Sequence, residues 1–321
     1  MQIVRFLKDW TLPVAIAVGS GVYLLFYYVS WLHGAGQVLG PLAEGLFPVA
    51  LFLTLLSTFC RVDFRQMRPH RWHIGVLLAQ LLLVAGCCCA VRAAAGDGQQ
   101  WLLWESVLTC IIGPSAAAAP VVCGKLGGNI NTMTTFTLVS SIVSAVLIPL
   151  VFPMLEQTVH VSFLSAFAII LRQLALVLLL PLVLGWVLQR HVPSVSRWVA
   201  SVPDLSFYLW AFTLSITTGI TVRNIVHSQA SAWLLAMIAA MSLVLCVVQF
   251  GLGRAIGRWL GEEVNSGQAL FQKNTALAIW VSYMYLHPVA SVGAGCYVLW
   301  QNMVNSLELW HYRRNQRHDI G

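Results

Sequence analysis

Long apolar runs alternate with short polar connections from one end of this chain to the other. An α-helix needs roughly 20 apolar residues to cross about 30 Å of hydrocarbon. Ten runs come close to that length or exceed it: 11–32, 41–60, 73–91, 101–124, 130–152, 163–188, 204–222, 231–252, 267–286 and 289–310. The pattern predicts an all-α polytopic membrane protein. No polar stretch is long enough for a separate soluble domain, so 1–321 reads as one transmembrane domain. Its halves are 1–152 and 163–310, and 311–321 is a basic tail. Arg5 and Lys8 precede a first run of full membrane length that has no A-x-A site, so it reads as a retained helix.

Two runs are interrupted. Span four holds Gly113-Pro114-Ser115, four alanines at 116–119, and Pro120. Span nine holds Gln272-Lys273-Asn274-Thr275 near its centre. An ionisable group there costs roughly 2.5–3.5 kcal/mol on insertion scales and is usually kept for a pathway or a binding site. Each half has five spans, so the second starts from the opposite side of the membrane, the condition for an inverted repeat. Spans four and nine are then equivalent positions, and such transporters place their sites at paired discontinuous helices. Pro120 lacks an amide proton and clashes with the carbonyl four residues earlier, which predicts a break there. A broken helix must face protein or a water-filled cavity. Breaks that face each other present helix ends to the midplane, where amide ends attract anions and carbonyl ends attract cations.

Composition supports the membrane reading. The chain is 59% hydrophobic and 9% charged, with mean hydropathy +0.79, whereas about 25% charged residues is usual for a soluble domain. The net charge of +7 reflects topology. With a cytoplasmic N-terminus, the inner segments carry fourteen basic residues: Arg5, Lys8, Arg61, Arg65, Arg68, Arg71, Lys125, Arg190, Arg197, Arg254, Arg258, Arg313, Arg314 and Arg317. The outer loops carry two, Arg92 and Arg223. This bias puts both termini in the cytoplasm. The bilayer is thus the expected partner and nucleic acid is not. The reading is a multi-pass cell-membrane protein, as in a bacterial inner membrane.

Other polar residues are candidates with less definition. Thr134, Thr137, Ser141 and Ser144 form a stripe on span five that either lines a cavity or packs helices through small hydroxyls. Gln80 stands alone in span three. Arg172 lies deep in span six, where it either pairs with Glu105 or meets an anionic substrate. Spans seven (Thr213, Ser215, Thr217, Thr218, Thr221) and ten (Gln301, Asn302, Asn305, Ser306) carry polar strips facing a pore or an interface. The eight cysteines, including Cys87-Cys88-Cys89, read as small packing residues. HExxH, GxSxG, Walker A and paired Cys/His metal spacings are absent, so neither an enzyme, a cofactor nor an ATP-driven pump is expected.

Spans four, five and nine resemble the bile acid:sodium symporter family. The likeness rests on the Gly113-Pro114-Ser115…Pro120 break, on Gly128-Asn129…Thr137…Pro149, and on Asn274-Thr275-Ala276-Leu277-Ala278, with Gln80 where the family has a glutamine. The resemblance implies a panel of helices 1, 2, 6 and 7 beside a core of 3–5 and 8–10, with helices four and nine crossing at their breaks. It also implies a small organic-anion substrate and a site at Gln80, Pro120, Asn129, Thr137, Gln272, Lys273, Asn274 and Thr275. Sodium-coupled members carry a Glu where this chain has Ala269 and a Gln where it has Lys273. Their Ser-Asn pair falls on Ala119 and Pro120, and a serine of theirs on Met133. Sodium prefers hard oxygen ligands, a carboxylate among them, so its usual ligands are lost here and a cation is installed. The expectation is an organic-anion transporter that is sodium-independent, either a facilitator or proton-coupled, with Lys273 replacing a sodium ion and donating to Gln80, Thr137 or backbone carbonyls. The competing reading is a non-transporting membrane sensor or scaffold on a degenerate transporter fold.

Overall fold

A computed structural model describes residues 10–155, 163–202 and 204–318. Arg5 and Lys8 lie outside them. Among the described residues the named elements are all helical, without a named strand. In chain order the helices are α1 (Thr11–Tyr28), α2 (His33–Phe59), α3 (Arg71–Ala93), α4 (Gly98–Ile112), α5 (Ala119–Lys125), α6 (Ile130–Leu155) and α7 (Phe163–Leu174). After them come α8 (Leu180–His191), α9 (Pro193–Ser201), α10 (Leu205–Val226), α11 (Ala232–Leu260), α12 (Glu263–Phe271), α13 (Thr275–Tyr285) and α14 (Ala290–His318).

By length and composition, six helical segments are able to cross a membrane: Thr11–Tyr28, Ser30–Phe59, Arg71–Ala93, Ile130–Phe152, Leu205–Val226 and Ala232–Leu260. Three of the other predicted spans are interrupted. Span four is divided between α4 and α5, and span nine between α12 and α13. A π-helical turn, Ala175–Leu179, joins α7 to α8. The last predicted span runs on as α14 to His318, where the Arg314 guanidinium lies 5.4 Å from the Trp310 ring centroid. The short helix α9 falls in a stretch expected to be a loop; Pro193 opens it, where a missing N–H leaves no bond unmade.

The helices pack as two groups. In one, α10 packs on α1 and α2, and α2 on α8. In the other, α11 packs on α3, α4, α12 and α14, while α4 also meets α3, α13 and α14. Contacts also join the two groups: α14 packs on α1 and α10, and α7 packs on α6. Close approach is set by glycine on both sides. A methyl at Gly19 would lie 2.0 Å from the Ser215 carbonyl oxygen, joining α1 to α10. One at Gly293 would lie 2.1 Å from the Ser106 carbonyl oxygen, joining α14 to α4. Within the second group Val84, Leu108, Ile111, Ile148, Phe152 and Val281 share one buried cluster. At the far end of these helices Arg254 pairs with Glu263 at 3.0 Å and with Glu308, and Arg258 also reaches Glu263 at 3.0 Å. The hydrogen bond from Arg254 holds the Glu263 carboxyl below its ordinary range.

Gly293→Ala forces a methyl into backbone and is expected to destabilise the protein by about 1–3 kcal/mol. Gly251→Ala, where no atom lies within 4 Å, leaves stability unchanged or slightly raised. Thermal melting of both variants in detergent checks the contrast.

Candidate functional site

The site is built where the two interrupted helices meet. Helix α4 stops at Ile112 because Pro114 disfavours the α conformation in the residue before it, and Gly113 is extended (φ −61, ψ 151). Pro120 therefore does not make the break, contrary to the sequence expectation. It sits in the first turn of α5, where proline is at ease. On the other side α12 ends at Phe271, and the Asn274 side chain starts α13 by accepting from the Leu277 amide at 3.1 Å.

The two extended segments cross antiparallel. The Ala116 amide donates to the Gln272 carbonyl at 2.7 Å and the Asn274 amide to the Pro114 carbonyl at 2.9 Å. Ser115 and Lys273 face each other between these bonds, a pairing in which the two side chains leave on the same face and lie close.

Outer partners complete this two-rung ladder. The Ser140 hydroxyl accepts from the Ser115 amide at 3.2 Å. The Gln301 side chain accepts from the Lys273 amide at 2.9 Å and donates to the Lys273 carbonyl at 3.2 Å, as a neighbouring strand would. Carbonyls freed at the end of α4 are met by Gln80, which donates to Ile111 at 3.2 Å and Gly113 at 3.0 Å, and by Ser144, which donates to Ile112 at 3.1 Å. Tyr297 donates to the Phe271 carbonyl at 2.6 Å and accepts from Gln249 at 2.9 Å.

Lys273 is 1% exposed, and its Nζ has no hydrogen-bond partner among the described residues. The expected donation to Gln80 or Thr137 is not made: Gln80 donates to α4 carbonyls, and the Thr137 hydroxyl donates to Met133 in its own helix at 3.0 Å. Buried acceptors left without a donor include Ser115 Oγ, Gln80 Oε1, Gln272 Oε1 and Asn302 Oδ1. Lys273 also lines a cleft of about 70 Å³ between the two helix groups. Gln272, Asn274, Thr275, Gln301 and Asn302 line one wall, and Phe47, Leu51, Trp210, Thr213 and Thr217 the other. A space of that size admits water, not the organic ligands that fill pockets of about 300–1,000 Å³.

Three of the five positions where the sequence reading expects sodium ligands to be lost, Ala119, Met133 and Ala269, meet in one buried apolar cluster with Trp72, Phe136 and Leu270; Pro120 and Lys273 lie outside it.

Two sequence candidates lie elsewhere. Asn129 starts α6, its side chain accepting from the Asn131 amide at 3.0 Å, and its backbone is held by Asn265 of α12 at 2.9 and 2.8 Å. Arg172 is exposed on α7, which packs on α6, while Glu105 is buried in α4. Sequence reasoning also missed Gln249, Tyr297 and Asn265. The first is a solitary polar residue in an apolar run, a signal it shares with Gln80.

A sequence model of the SBF-like CPA transporter family matches residues 60–303. No curated protein matches the chain.

Gln301→Leu leaves the Lys273 amide and carbonyl buried without partners. It is expected to cost about 2–5 kcal/mol, read as a lowered melting temperature together with faster amide exchange at residues 272–275.

Proposed function

We propose, from the premise that this chain belongs to the SBF-like CPA transporter family, that it carries an organic anion without sodium coupling. The substrate class is a bile-acid-like molecule or a small carboxylate. The observation that carries the reading is the buried, unpartnered Lys273 ammonium at the crossing, beside an apolar cluster where sodium ligands would be expected. A buried cation without a counter-charge is costly. An anionic head group entering the cleft supplies that counter-charge, and sodium has no comparable role among Ala119, Met133 and Ala269. Ser115, Gln272, Asn274, Thr275 and Asn302 lie around the same crossing as hydrogen-bonding groups, while Gln80 holds the break.

The transport cycle follows from the packing. A cleft of about 70 Å³ is too small for such an anion, so loading requires the group containing α2 and α10 to part from the broken helices. Rocking of one group against the other then exposes Lys273 to one side of the membrane at a time. Ten spans in a 5+5 inverted repeat, with both termini cytoplasmic, give this motion its symmetry. Proton exchange at the Lys273 amine is the form of coupling that needs no metal ligand.

Uptake of labelled organic anions into liposomes tests the reading. Uptake is expected to be equal with and without a sodium gradient and to fall at least tenfold in Lys273→Ala. Sodium-driven uptake that survives Lys273→Ala would sink it, and binding without counterflow would favour a membrane sensor. In a second arm, Ala269→Glu combined with Lys273→Gln returns a carboxylate beside the crossing, and uptake by this variant is expected to become sodium-dependent.

A further inference from the structure

A second, larger space opens between the ends of α10 and α13 and the start of α14, with a volume of about 800 Å³. Its walls divide by chemistry. Arg223, Asn224, His227 and His287 bring hydrogen-bonding and cationic groups, while Ile220, Ile279 and Val292 supply apolar surface. No Asp or Glu is among its described lining residues. His287 Nδ1 accepts from the Val289 amide at 3.3 Å, which leaves the proton on Nε2, a donor. His227 is held by its Nδ1, 3.0 Å from the Arg223 carbonyl and 3.3 Å from the Tyr23 hydroxyl, with the Tyr27 ring edge-on at 5.5 Å. Arg223 and Arg92 alone stand against the charge bias that keeps basic residues on the opposite face. Ala276 lines both this vestibule and the Lys273 cleft, so the two spaces are adjacent.

We propose that the vestibule is a second binding site, on the outer side, for an amphipathic organic anion. The carboxylate or sulfonate meets Arg223 and His287, and the apolar body lies along Ile279 and Val292. Its volume falls within the range that encloses such ligands, and none of its described lining residues is a carboxylate that would repel the head group. That the anion is on its way to Lys273 rests on the transport reading; the binding itself does not.

Equilibrium binding of tritiated naphthalene-2-sulfonate and of neutral 2-naphthylmethanol to protein in lipid nanodiscs, with empty nanodiscs subtracted, tests this. Arg223→Gln with His287→Gln is expected to weaken sulfonate binding about tenfold or more and to leave naphthylmethanol binding unchanged. Arg223→Lys retains most of the affinity for the sulfonate. Ile279→Trp, which fills the vestibule without touching its charge, weakens both ligands, and matched melting curves establish that each variant is folded. Sulfonate binding that survives both the double variant and Ile279→Trp, or that is lost only in Lys273→Ala, overturns the proposal. Vestibule binding retained beside sodium-driven uptake that survives Lys273→Ala counts against the transport reading alone.

Discussion

The structure depends on one constraint: inside a membrane, a backbone group released from a helix must find a partner within the protein. Breaking α4 from α5 and α12 from α13 frees carbonyls and amides at the centre of the molecule. The solution is a two-rung antiparallel ladder, 113–116 against 272–274, edged by side chains in place of further strands. Gln80, Ser140, Ser144, Tyr297 and Gln301 each meet a specific freed group. They come from α3, α6 and α14, so the crossing orders its neighbours as well as itself.

With the backbone satisfied, the side chains at the crossing are left to other work. Lys273 contributes an amide and a carbonyl to the scaffold and a cationic amine to the cleft. The apolar cluster of Ala119, Met133 and Ala269 draws on α5, α6 and α12 around the same crossing.

Much of this was legible in the sequence because breaks leave local marks. Gly113-Pro114 is a backbone signal, and a Gln-Lys-Asn-Thr run in an apolar span is a chemical one. Pro120 was misassigned because proline both ends and begins helices, and the rule does not say which without the neighbouring Gly-Pro. The stripe of Thr134, Thr137 and Ser141 was ambiguous for the same kind of reason: each hydroxyl bonds the carbonyl four residues back, which periodicity does not distinguish from facing a cavity. Asn265 was invisible, since its partner Asn129 lies 136 residues away.

The bidentate grip of Gln301 has a further consequence. It takes hold of residue 273 only by its amide and carbonyl, which are the same for every amino acid except proline. The identity of the side chain at that position can therefore change without the crossing having to be rebuilt. Architecture and chemistry are inherited separately here. A lineage holding this scaffold is free to try a new charge at its centre in a single mutational step.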